Sequence, residues 1–142
     1  MKIRHKRRQT GFTLIEVMLV LVILVILASS VSFFVRGMQK QAMTDAAKSQ
    51  IGSLKQCIEG FQLHVRSYPS TGQGLDSLIV QPSDLRNPDN WKGPYLDSNE
   101  VPLDPWDSPY QYSLRDPDNY EIWSLGPDGA DGTDDDIRST DL

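Results

Sequence analysis

Residues 11–35 read GFTLIEVMLVLVILVILASSVSFFV, and the reading of this stretch decides how the rest of the chain is organised. From 12 to 35 there are 24 residues whose only charge is Glu16, and 17–28 are twelve apolar residues without a break. A helix rising 1.5 Å per residue carries that length over about 36 Å, enough to cross a hydrocarbon core of about 30 Å. A transmembrane helix over 12–35 is predicted. Five of the 14 Lys and Arg (Lys2, Arg4, Lys6, Arg7, Arg8) precede it, whereas Arg36, Lys40 and Lys48 are scattered beyond it. That asymmetry predicts a cytoplasmic N-terminus and a translocated body. The competing reading is a secretory signal cut near Ala28-Ser29-Ser30, and a carboxylate beside the apolar core counts against it.

Working outward, 142 residues allow one small domain plus attachments and exclude a multidomain enzyme. Met43, Ala47, Ile51, Leu54, Ile58, Phe61 and Val65 are spaced 4, 4, 3, 4, 3, 4, which keeps them on one side of a helix. One helix from about Phe12 to Arg66 is predicted, about 80 Å long at that rise. Its first half is apolar all round, its second half (36–66) is amphipathic, and Pro69 ends it. The stripe suits either a coiled coil or packing against the head at 67–142, and the head needs a core. Residues 67–105 are rich in Pro, Gly, Asn and Asp, with one short helical candidate at 75–80. Alternating Tyr110, Tyr112 and Leu114, turn chemistry at 115–118 and a β-prone run at 120–125 predict a hairpin. The fold class is therefore α+β. Trp91, Tyr95, Trp106, Tyr110, Tyr112 and Trp123 read as packing in a head short of core, with a carbohydrate platform as the rival. Cys57, the only cysteine, reads as core filling and excludes an internal disulfide.

Net charge is -5, and residues 101–142 carry eleven Asp or Glu against two Arg, so the body repels phosphate and nucleic acid is not a partner. The only histidines are His5 and His64, and no P-loop or dinucleotide fingerprint occurs, so no catalytic residue is assigned and an enzyme is not expected.

Glu16 is the informative residue of the apolar run. A charge at mid-bilayer costs about 2.5 to 3.5 kcal/mol, less near the interface, so such a group snorkels, finds a partner or has a function. Gly11-Phe12-Thr13-Leu14-Ile15-Glu16 behind a basic leader resembles the class III signal of type IV pilins and pseudopilins. In the head, Tyr68-Pro69-Ser70-Thr71-Gly72-Gln73-Gly74-Leu75, Trp91-Lys92-Gly93-Pro94-Tyr95-Leu96, 104–112 and 124–129 resemble, in order, the major pseudopilin family of type II secretion systems. Asp107 and Ser108 depart from the family's usual Gly-Asn, and the membrane segment lacks its usual proline. The resemblance implies a type IV pilin-like fold and removal of leader 1–11 by a prepilin peptidase cutting between Gly11 and Phe12. It also implies N-methylation of Phe12 and pairing of Glu16 with the Phe12 amine of a sister subunit. The implied function is a homo-oligomeric helical filament, the pseudopilus, working with minor pseudopilins and an inner-membrane platform to export folded proteins. The implied location is a single pass of the bacterial inner membrane with the head periplasmic. A type IV pilin for adhesion or DNA uptake, and a monomeric membrane-anchored calcium-binding protein, are the alternatives.

Asp128, Asp131, Asp134, Asp135, Asp136 and Asp141 lie within fourteen residues, opposed only by Arg138. Many hard oxygens with glycines at 126, 129 and 132 suit Ca²⁺ better than Mg²⁺, and the lack of nearby Cys or His disfavours Zn²⁺. On composition a disordered acidic tail fits equally. The family resemblance implies calcium here. Carried over by position, the Leu125 backbone oxygen and the Asp128 side chain match. In a loop shorter than the commonest version, the other ligands fall to the Asp134 and Asp135 side chains and the Ala130 carbonyl, with Asp131 and Asp136 in reserve.

Overall fold

The computed structural model describes residues 11–141, with the backbone alone at 30–34. The basic leader expected ahead of Gly11 lies outside the described residues. One helix, α1 (Leu14–Val65), runs for 52 residues, as the apolar and striped patterns together predict. Thr13 caps its start, its hydroxyl and carbonyl accepting from the Glu16 amide at 3.4 and 3.1 Å. Its end falls within a residue of the expected one, but Pro69 is not what stops it. The helix stops before Pro69 because Arg66 turns into the left-handed region at φ 69°, its amide still bonded to Gln62 at 2.8 Å.

The chain divides into two compact units, Met1–Lys40 and Gln41–Leu142. In the first, Leu14, Ile15 and every residue from Val17 to Leu27 keep 47 to 80% of their surface exposed. Among the described residues, no helix is long and apolar enough to cross a membrane. The span expected at 12–35 includes 30–34, whose side chains are not described.

The second unit is built on the stripe. Ala47, Ile51, Leu54, Ile58 and Phe61 are at most 1% exposed and form the core with Leu75, Leu78, Tyr110, Ile122 and Ile137. Val65 and Cys57 pack at its edge, whereas Met43 stays half-exposed outside it. Leu75–Leu78 is a single 3₁₀ turn within the run expected to be helical. Trp91 and Tyr95 meet edge to face at 5.8 Å, and Tyr95 meets Phe61 at 5.7 Å, so this loop closes over α1 by aromatic contact. Trp91 Nε1 donates to the Ser77 carbonyl at 3.0 Å, satisfying its polar edge.

The expected hairpin forms, as β1 (Gln111–Asp116) antiparallel to β2 (Asn119–Ser124), with an irregularity between Leu114 and Asp116. A third strand, β3 (Ile137–Arg138), was not anticipated and pairs with β2 through Trp123↔Arg138 and Ser124↔Ile137, giving the order β1-β2-β3. Tyr112 Oη donates to the Pro69 carbonyl at 2.7 Å and the Leu114 amide to Thr71 Oγ1 at 3.0 Å, tying β1 to the loop that follows α1. Buried Asp104 accepts from the Trp106 and Ser108 amides at 3.0 and 2.8 Å and from the Ser124 hydroxyl, anchoring the turn before β1. Asp107 takes φ 64°, a conformation Asp tolerates better than most residues.

Candidate functional site

Two places carry the sequence's candidate residues, one in each unit. At the first, Gly11 and Phe12 precede α1, both exposed, Phe12 by 79%. A Cβ added at Gly11 would meet nothing within 4 Å, so packing among the described residues does not demand glycine there. Glu16 sits in the first turn of α1, exposed, and among the described residues its carboxylate has no partner. Thr13 and Glu16 have the Thr-x-x-Glu spacing of a capping box, in which the hydroxyl receives the amide of the third helical residue. The same spacing is legible in the sequence as a helix start. A carboxylate also opposes the positive end of the helix dipole there, so Glu16 has a local structural role besides any pairing with another chain.

The second place is the loop 125–136 between β2 and β3. Gly126, Gly129 and Gly132 all have positive φ, at 66°, 66° and 87°, as the turn-rich sequence predicts. At Gly126 the demand is double, because an added Cβ would lie 2.4 Å from the Asp135 carbonyl oxygen. The structure brings Asp128 and Asp135 together: the Asp128 amide donates to Asp135 Oδ2 at 3.3 Å, and Thr133 Oγ1 donates to Asp135 Oδ1 at 2.7 Å. The Thr133 hydroxyl first, then the Asp128 amide, hold the Asp135 carboxyl below its ordinary value. Asp128 Oδ1 accepts from the Ala130 amide at 2.9 Å, and the Ala130 carbonyl accepts from Thr133 Oγ1 at 3.3 Å. Leu125 is half-buried just beyond β2. Asp134 is exposed and, among the described residues, makes no hydrogen bond or ion pair, so it is not drawn in with the others.

The reserves Asp131 and Asp136 have a different employer. Arg138 on β3 places Nη2 at 2.6 Å from Asp136 Oδ2 and 3.3 Å from Asp131 Oδ1, and Nη1 at 3.2 Å from Glu121 Oε1. Its guanidinium carbon lies 5.2 Å over the Trp123 ring, whose Nε1 donates to Asp131 at 2.9 Å. Trp123 is therefore part of this cluster and not of the core, correcting the packing role read from sequence. Glu121 also takes Arg115, at 3.2 Å through Nε. Arg115 first, and Arg138 after it, hold the Glu121 carboxyl below its ordinary value although burial pushes the other way. Asp136 and then Glu121 push the Arg138 guanidinium up.

Among the described residues, no group of three or more His, Cys, Asp or Glu side chains is placed to hold a metal ion. The donors fit a hard divalent cation in kind, being all oxygen, and buried Asp136 Oδ1 has no hydrogen-bond partner. The cation that the carboxylates hold here is a guanidinium.

Comparison with known proteins spans both places in sequence. The family model described as Type II secretion system (T2SS), protein G matches residues 35–140, and the Prokaryotic N-terminal methylation motif matches 6–32. The chain is 42% identical over 142 residues to the type II secretion system core protein G of Aeromonas hydrophila, covering 97% of this chain and 96% of that one. To the same-named protein of Pseudomonas aeruginosa it is 41% identical over 132 residues, 90% of each. It is also similar to the solved major pseudopilin from the type 2 secretion system of enterohaemorrhagic Escherichia coli, with a TM-score of 0.66 and 30% identity over 75% of this chain and 94% of that one.

Proposed function

The chain belongs to the protein G family of the type II secretion system, and from that premise we propose how this pseudopilus subunit works. It is a structural subunit with a pseudopilin fold. A prepilin peptidase removes 1–11 and Phe12 is methylated, which takes away five positive charges and shifts the formal side-chain charge from -5 to -10. The retained apolar half of α1 anchors the subunit in the inner membrane, head on the periplasmic side. Copies then leave the bilayer by packing these helices together into a filament, in concert with minor pseudopilins and the membrane platform, and the filament drives folded proteins outward. The subunit performs no reaction; its work is mechanical.

The observation that carries this reading is the pairing of an exposed apolar helix surface with one unpartnered carboxylate at its start. The surface is satisfied by lipid or by sister helices, and the carboxylate by the freed amine of a neighbour. Removing one member of a buried ion pair costs about 3 to 5 kcal/mol. Glu16→Gln separates the two roles of this residue, because glutamine serves a capping box as well as glutamate but cannot pair with an ammonium. The expected result is loss of crosslinked subunit ladders and of secretion, with N-terminal sequencing still reading methylated Phe12. Undiminished ladders would show that the charge is not used in assembly.

For the loop 125–136 we propose calcium, held by the Leu125 and Ala130 carbonyls and the Asp128, Asp134 and Asp135 side chains, with Asp136 next in line. Support comes from the all-oxygen donor set, the orphaned Asp136 Oδ1 and the Gly126 turn that folds the loop back on Asp135. Bound calcium neutralises the loop and fixes it to the sheet, stabilising the head by about 2.7 kcal/mol at a hundredfold excess over Kd. A chelator is expected to lower the melting temperature of the full chain in detergent, and an unchanged melt refutes the assignment.

A further inference from the structure

The acidic loop contains its own cation. Arg138 reaches it from β3, fixed by the pairing of that strand with Trp123, and its two terminal nitrogens contact Asp131, Asp136 and Glu121 at 2.6 to 3.3 Å. The Asp136 side chain is 2% exposed, so this contact is sealed from solvent on the carboxylate side, and Asp136 Oδ1 is left buried without a partner. Arginine cannot shed its proton, so the charge is permanent. The carboxylates in its grip, Asp131 and Asp136, interleave in sequence with those proposed to hold calcium, Asp128, Asp134 and Asp135.

We propose that Arg138 is an internal counter-cation of the loop, neutralising Asp131 and Asp136 so that the loop keeps its shape without metal, and thereby competing with a divalent cation for the same field. This rests on the calcium reading above. Two cations of like sign in one short loop repel each other, and each carboxylate oxygen committed to the guanidinium is withdrawn from the metal. Removing Arg138 leaves Asp136 Oδ2 with only the Gly132 amide at 2.9 Å, beside an Oδ1 that already has no partner, so the carboxylate charge is open to a cation. The consequence is a head whose dependence on calcium is softened by one residue, with affinity given up in exchange.

The test titrates calcium and, separately, terbium into the full mature chain in detergent, reading terbium luminescence sensitised by Trp123 and the melting temperature with and without chelator. Wild type, Arg138→Gln and Arg138→Lys are compared. Arg138→Gln is expected to bind calcium at least tenfold more tightly, to melt below wild type under chelator, and to lose more on chelation than wild type does. Arg138→Lys, which keeps the charge but not the forked reach, is expected between them. Folding of Arg138→Gln that is rescued only by calcium also supports the proposal; if that variant folds under neither condition, tighter binding by Arg138→Lys supports it. Unchanged or weaker binding in the folded variants overturns it. Absence of binding in all three chains, wild type included, is instead the failure of the calcium reading.

Discussion

Ile51, Leu54, Ile58 and Phe61 are at most 1% exposed, whereas Val17, Val20 and Ile23, on the same continuous helix, are each 47% exposed. The side chains are alike in kind; their arrangement differs. A periodic stripe leaves the helix an opposite face that can stay wet, so one chain can cover the stripe with its own loop and sheet. An apolar surface on all sides cannot be covered that way and stays unsatisfied until lipid or other copies surround it. The same contrast holds for charge. Glu121 has two arginines of its own chain, while Glu16 has no partner among the described residues.

The largest stability effect expected from this contrast is Phe61→Ala, which should lower the unfolding free energy of the head by about 3 to 5 kcal/mol in chemical denaturation of the full chain in detergent. Val20→Ala should leave that transition in place. Equal losses from the two would erase the distinction between the units. Next come the glycines. Gly126→Ala, forced to φ 66° with a Cβ 2.4 Å from a carbonyl oxygen, should cost at least about 1 kcal/mol and weaken calcium binding. Gly11→Ala should not move the melt at all and should be read only by the peptidase, as retained leader on mass spectrometry. The smallest effect is in acid. Because the folded Glu121 carboxyl lies below its ordinary value of 4.5, its contribution is complete above that value and is lost as the pH falls through the folded one. Melts recorded downward from pH 4.5 should fall less steeply for Glu121→Gln than for wild type, and parallel slopes would remove Glu121 from the acid response.

What the sequence made legible was whatever repeats locally. The 4-4-3-4-3-4 spacing located five of the fully buried helix residues, and the alternation of Tyr110, Tyr112 and Leu114 before the turn chemistry at 115–118 located the hairpin, with the end of β1 two residues later than read. The helix end was legible to within a residue, but not its cause, since nothing in Arg66 announces a left-handed residue and Pro69 was the stronger visible stop. Strand β3 is two residues long and owes its existence to pairing with β2 across a twelve-residue loop, which no local period records. For the same reason Arg138 looked like a lone charge in an acidic tail when it is the group that Asp131, Asp136, Glu121 and Trp123 share. The acidic run was legible as a turn-rich loop of carboxylates, but which of them were already taken depended on that unseen strand.

The contact between the Leu114 amide and Thr71 has a bearing on how copies avoid each other. An outermost strand with bare amides invites a second molecule to extend the sheet, and crowded identical chains are where fibrous misassembly starts. Here a threonine hydroxyl from the loop after α1 stoppers one of those amides on β1, and at the opposite margin β3 is only two residues long. The sheet is a poor template for its own kind, so strand pairing gives copies of this chain little to join by.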